Sequence, residues 1–260
     1  MTERKLEKIV ELDASPEQVW EAIASGPGIT GWFVPTRMER RAGGAITQDF
    51  GGGAVVTGKI HAWDPGQRMV YGAAEAPPEG SPNYAFEFLV EGRAGSGTVL
   101  RFVQSGFVDG AEGWENEYNS LDKGWDLFFG NLRAYLAHFA GRPARSVVTM
   151  AFTPAMTKAQ AWAAMEKALG LTGHPAVGEQ VTLDGPQRVT GVVDVSSAEF
   201  LGVRAENALY RFGAEGDVGC GLSAYHYFYG DPVDTDALTT AWQAWLSELF
   251  PAPEPAPTAP

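Results

Sequence analysis

A chain of 260 residues, 45% of them hydrophobic, has material for two domains of ordinary size with real cores. Thirty-two acidic against nineteen basic residues leave a net charge of −13, which argues against nucleic acid as a partner, because phosphate recognition needs a clustered basic footprint. The single cysteine, Cys220, excludes internal disulfides and multi-cysteine metal sites, and no apolar run approaches the roughly 20 residues that span a bilayer.

The first residues, Met1-Thr2-Glu3-Arg4-Lys5, are not followed by an apolar signal region, so a cytoplasmic protein is expected. Residues 4–13 alternate with an imperfect period of two and predict a half-buried strand. Ser15-Pro16-Glu17-Gln18-Val19-Trp20 then opens a helix. Its hydroxyl stands three residues before a Gln, as in a reciprocal capping box, and Pro16 takes the first helical position, where its missing N–H costs nothing. Gly26-Pro27-Gly28 is expected to break this helix, and a short second helical turn to carry Ile29, Trp32 and Phe33 before Pro35. Arg37, Arg40 and Arg41, the densest basic group, read as the solvated edge of a strand. From Met38 to Ser105, Gly- and Pro-rich turns separate apolar runs, including Ala54–Trp63, Arg68–Ala73, Tyr84–Val90 and Thr98–Gln104. Such spacing predicts an antiparallel meander. Gly51-Gly52-Gly53 lacks the Gly-Lys-Ser/Thr ending and the helix of a phosphate loop and is a hairpin instead. Asn119 or Ser120 is expected to cap a long helix that Gly141 and Pro143 stop. Its interior glycines, Gly124 and Gly130, suggest close approach of the sheet or of a ligand.

The opening motif returns. Thr157-Lys158-Ala159-Gln160-Ala161-Trp162 keeps the hydroxyl, Gln and Trp offsets of Ser15–Trp20, again after a strand-like run. Leu132, Tyr135, Leu136 and Phe139 are spaced as Trp242, Trp245, Leu246 and Leu249 are, at the end of each half. Two tandem units are expected, residues 1–142 and 145–250, the second shorter and degenerate. Residues 251–260, with Pro at half their positions, are expected to be an extended, disordered tail.

The first half resembles the START-like (SRPBCC) superfamily, in the branch named for the activator of heat-shock protein 90 ATPase. The matching residues are Ala14-Ser15-Pro16-Glu17-Gln18-Val19-Trp20, Trp32-Phe33-Val34-Pro35, Asp64-Pro65-Gly66-Gln67-Arg68-Met69-Val70, Gly97-Thr98-Val99-Leu100, Ser105-Gly106-Phe107 and Gly124-Trp125. The second half keeps the capped helix but lacks the Trp-Phe-x-Pro segment and the Asp-Pro turn. The resemblance implies an α+β helix-grip fold, a curved antiparallel sheet around a long C-terminal helix, in two tandem units. Family members include carriers of hydrophobic ligands, aromatase/cyclases and chaperone co-factors, so function must be argued from the site.

Strand alternation offers an aromatic wall in the first unit, made of Trp32, Trp63, Tyr71, Phe86, Phe88, Phe102, Trp125 and Phe129, with His61 and Arg101 as candidates to orient a polar ligand group. His61 and Trp63 are expected on one face. The wall fits a small hydrophobic or aromatic ligand; the same residues also fit a filled core. Catalytic constellations are scarce. No histidine has a partner at metal-ligand spacing, there is no Gly-x-Ser-x-Gly elbow, and Cys220 and His226 lie about 20 Å apart along one strand at ~3.3 Å per residue. Glu112, Glu115 and Glu117, expected in a loop at the cavity mouth, are the candidate general bases. No cofactor, metal or catalytic residue is expected. The leading reading is a binder of a small hydrophobic ligand; the alternatives are a co-chaperone-like interaction module with a protein partner, and a cyclase- or hydrolase-type enzyme.

Overall fold

The computed structural model describes residues 4–78, 81–92, 97–108, 114–216 and 218–251; Glu112, the Gly95-Ser96 turn and the tail beyond Pro251 lie outside them. The chain is α+β and divides into two units, Met1–Ala144 and Arg145–Pro260.

In the first unit β1 (Leu6–Leu12) leads through Ser15 into α1 (Pro16–Ile23). Both arms of the capping box form: Ser15 Oγ accepts from Gln18 N–H, and Gln18 Oε1 accepts from Ser15 N–H at 2.9 Å. The Gly26-Pro27-Gly28 stretch does not lie between helices. It is the first turn of α2 (Gly26–Thr30), because Ser25 caps it and accepts from Gly28 N–H at 3.0 Å. At Gly28 only hydrogen fits, since a Cβ would collide with the Glu21 carbonyl oxygen and lie 2.9 Å from Ala22 Cα.

Two strands whose bounds the sequence does not mark follow, β2 (Thr36–Met38), which carries Arg37, and β3 (Ala45–Asp49); then come β4 (Val55–Asp64), β5 (Arg68–Ala73), β6 (Ala85–Gly92), β7 (Thr98–Ser105) and α3 (Trp114–His138). The Gly51–Gly53 segment turns between β3 and β4 with φ values of 79°, 59° and 87°, which suit glycine alone. All strands are antiparallel neighbours in the order β1-β7-β6-β5-β4-β3-β2. Arg40 pairs with Glu21 at 2.8 Å and Arg41 with Glu39 at 2.7 Å, so two of the three arginines of the basic cluster are neutralised at the surface.

α3 begins five or six residues before its expected cap. Glu115 and Glu117, read as loop residues, stand in its first turn, where carboxylates favour the positive end of the helix. Neither helix glycine marks close packing: a Cβ at Gly124 or Gly130 would meet nothing within 4 Å.

The second unit runs β8 (Ala144–Thr157), α4 (Lys158–Ala168), β9 (Gln180–Leu183), β10 (Val189–Ser196), β11 (Phe200–Arg204), β12 (Ala208–Glu215), β13 (Val218–Tyr229) and α5 (Thr235–Leu249). Thr157 and Gln160 form the second capping box. The strand order, β8-β13-β12-β11-β10-β9, repeats that of the first unit with the α2 and β2 equivalents missing. A further shared feature is a bulge in the equivalent strand, between Ile60 and Ala62 in β4 and between Val193 and Val195 in β10. Its core gathers Trp162, Met165, Leu201, Val203, Phe212, Leu222, Trp242 and Leu246.

Candidate functional site

Residues of β3 to β7 that alternate toward α3 form the inner face of the first unit's sheet. Direct pairing across the ladders puts Ile60, Tyr71, Phe86 and Gln104 in one row, and Met69, Phe88 and Phe102 in another. The turn that follows α2 brings Trp32 and Phe33, and α3 brings Trp125, Phe128 and Phe129, against this face. The rings form a continuous array. Trp32 stacks on Phe129 at 5.9 Å; Phe129 meets Phe102 at 5.2 Å; Phe102 meets Trp125 at 4.2 Å. Trp125 reaches Phe86 at 6.0 Å, and Phe86 lies beside Tyr71 at 5.0 Å, which stacks on Phe88 at 6.2 Å.

Seven of the expected wall residues are therefore together, and six of them (Trp32, Tyr71, Phe88, Phe102, Trp125 and Phe129) are at most 4% exposed. Phe86 is half-buried. Trp63 reaches the inner face by another route and packs edge-on against Trp20 at 5.2 Å. The bulge parts it from His61. Ile60 pairs with Tyr71 and Trp63 with Met69, so the extra residue, His61, is turned to solvent, its Nε2 3.1 Å from the Ala73 carbonyl oxygen. Arg101 is also on the outer face, half-exposed and paired with Glu7 at 2.5 Å, because it alternates with the buried Leu100 and Phe102. Neither residue joins the aromatic array as expected: the bulge turns His61 outward and alternation turns Arg101 outward.

Two glutamines, not among the expected site residues, reach the array with polar groups. Gln104, 1% exposed, accepts from Trp125 Nε1–H at 2.7 Å. Gln48 donates to Tyr71 Oη at 3.4 Å. Burial raises the Tyr71 phenol above its ordinary range, so it stays neutral and able to donate. Trp32 is anchored differently, its Nε1–H donated to the Ala22 carbonyl at 2.9 Å. Alternation on β7 places Gln104 beside Phe102 on the inner face and was the available signal; no period reveals Gln48 on a strand whose bounds the sequence does not mark.

The margin of the array is half-exposed. Phe33 stacks on Trp125 at 5.2 Å and meets the edges of Phe128 at 4.6 Å and Phe50 at 5.8 Å. Phe50, Phe86 and Phe128 each keep part of their surface in solvent, and Val56, paired with Gln48 on the inner face, is 54% exposed. Gly124 stands one turn before Phe128 and adds open space there. Beyond Phe86, Tyr84 Oη donates to Glu117 at 2.5 Å. Burial first, and then the Glu117 carboxylate, push the Tyr84 phenol upward. The former loop carboxylate is thus tied to the sheet through a phenol. Among the described residues no three His, Cys, Asp or Glu side chains gather as a metal site, and no helix is long and apolar enough to cross a membrane.

Residues 13–137 match the family described as Activator of Hsp90 ATPase homolog 1-like protein. None of the curated proteins matches the sequence. Among solved structures, protein MLL2253 from Mesorhizobium loti is 23% identical, with 52% of this chain and 97% of that one covered at a TM-score of 0.45. The Aha1 dimer from Colwellia psychrerythraea is 19% identical over 51% of this chain and 96% of that one, at 0.44. The di-domain ARO/CYC BexL from the BE-7585A biosynthetic pathway is 13% identical and covers 95% of this chain and 91% of its own, at 0.45.

Proposed function

We propose that this protein, whose first unit is of the activator of Hsp90 ATPase homolog 1-like family, binds a small, apolar, ring-containing ligand at the half-exposed margin of that unit's aromatic array. The observation that carries the reading is the change of burial along one array. Its deep members are sealed, while Phe50, Phe86 and Phe128 leave ring surface uncovered next to the open space at Gly124. Aromatic faces with few polar groups favour a flat apolar guest, which gains contact area and offset ring stacking. Gln48 and Tyr71, both buried and bonded to each other, stiffen the wall against which that guest stacks. The fold alone names no reaction, and the site's chemistry is that of binding.

Titration of the full chain with Nile red, an uncharged apolar dye suited to a protein of net charge −13, tests this. Saturable enhancement is expected, weakened about tenfold by Phe128→Ala, as loss of an aromatic contact of about 1.4 kcal/mol implies. Arg101→Ala, on the outer face, should leave the titration unchanged. Absence of saturation, or equal weakening by both changes, would sink the assignment.

A further inference from the structure

The two sheets can be superposed residue by residue from their bulges. In the first unit the row beside the bulge runs Ile60, Tyr71, Phe86, Gln104; in the second it runs Val193, Val203, Tyr210, His226. His226 is therefore the counterpart of Gln104. In each unit a tryptophan of the terminal helix packs on that residue, Trp125 on Gln104 and Trp242 on His226, the latter pair with ring centroids 4.3 Å apart. The hydrogen bonding differs. Trp125 Nε1–H is donated to Gln104, whereas Trp242 Nε1 and His226 Nε2, both fully buried, have no hydrogen-bond partner. The other imidazole nitrogen, Nδ1, accepts the Arg211 backbone N–H at 3.3 Å, which assigns the ring proton to Nε2. Two N–H donors on touching rings thus lack an acceptor inside a sealed core, an arrangement native proteins avoid.

We propose that the second unit holds an oxygen acceptor against His226 Nε2–H and Trp242 Nε1–H, supplied by an internal water molecule or by the carbonyl of a small bound compound. The donor set is uncharged. Burial first keeps the imidazole neutral, with the Tyr225 backbone next and acting the other way, and Arg211 after it disfavouring the charged ring, while the guanidinium of Arg211 is itself committed to Asp194 at 2.9 and 2.8 Å. An uncharged oxygen suits such a pair; Tyr210 and Phe212, 4.9 and 5.1 Å from the imidazole, wall it apolarly. The second unit, on this reading, keeps a polar internal site where the first has closed its own with a side-chain bond.

Nuclear magnetic resonance of the 15N-labelled full chain decides the matter, with the Trp125 indole as an internal hydrogen-bonded reference and Trp242→Phe used only for assignment. Expected are an Nε2-protonated His226 from pH 5 to 8, and His226 and Trp242 ring N–H protons at low field and slow to exchange. A cross-peak to the water resonance identifies water as the acceptor. Cross-peaks to non-protein protons, together with a mass excess in native mass spectrometry, identify a carbonyl compound. A His226 ring protonated at Nδ1, or both N–H protons at the shifts of unbonded groups without any cross-peak, would overturn the proposal.

Discussion

Trp125 joins α3 to the sheet in two ways, and its replacement separates them. Trp125→Ala removes a side chain that is 4% exposed and touches the rings of Phe33, Phe86, Phe102, Phe128 and Phe129. Large aromatic-to-Ala changes of that kind cost about 3–5 kcal/mol. The same change strips Gln104 Oε1 of its donor in a residue 1% exposed, adding about 1–3 kcal/mol. The combined loss, about 4–8 kcal/mol, is comparable with the whole stability of a domain, about 5–15 kcal/mol. Trp125→Phe keeps most ring contacts and should cost about 2–3 kcal/mol, chiefly through the orphaned amide. Adding Gln104→Leu should recover about 1 kcal/mol, because neither polar end is then left buried alone. Urea unfolding of the full chain, followed by far-ultraviolet circular dichroism and by tryptophan fluorescence, measures all three variants. The reasoning fails if Trp125→Phe costs less than about 0.5 kcal/mol and Trp125→Ala less than about 2 kcal/mol, which would place the ring beside open space with no functional bond to Gln104.

The second unit should be acid-sensitive: burial lowers His226 to about 3 from 6.5, so the unfolded chain takes up the proton first. Stabilisation present above pH 6.5 is then lost progressively toward pH 3, at about 1.4 kcal/mol per unit. Urea midpoints at pH 7, 6, 5 and 4 check the slope, which His226→Gln should flatten. Gly28→Ala forces a methyl against the Glu21 carbonyl and Ala22 and should destabilise the first unit by about 3 kcal/mol or more, a fall in melting temperature that Pro27→Ala, at an exposed position, should not approach. Residues 1–142 expressed alone should give a cooperative thermal transition, since the whole seven-stranded sheet and α3 lie within them; a featureless melt would count against an independent unit.

Much of the architecture was legible because it rests on local chemistry. Both capping boxes form as Ser15–Gln18 and Thr157–Gln160 predict, and Arg68–Ala73 is a strand over that full span. The inner-face aromatics follow from alternation alone on β6 and β7. What failed was non-local. Alternation assumes an unbroken ladder, so the bulge at β4 sent His61 outward while Trp63 stayed inward. Alternation on β7 sets Arg101 on the face opposite Phe102, and its ion pair with Glu7, on a strand 94 positions away, has no local signature. Gly26-Pro27-Gly28 carries breaker residues, yet Pro is welcome in a first helical turn once Ser25 caps it. Phe33, Phe50 and Phe128 entered the margin of the site only through the packing of α2, a hairpin and α3, which no single periodicity encodes.

In both sheets the first strand lies against the last, β1 beside β7 and β8 beside β13. Leu6 pairs with Gln104, 98 positions later. Contacts of that sequence separation must wait for a large loop to close, which slows folding and ties it to the order of synthesis. On the ribosome, β1 is made before the other strands of its sheet and waits for β7 to emerge. Its edge meanwhile displays Lys5, Glu7, Lys8 and Glu11 among the apolar residues, charges that discourage pairing with a neighbouring chain. β8 then begins directly after the first unit is finished, so the nascent chain meets the same delay twice in succession and never with both first strands waiting at once.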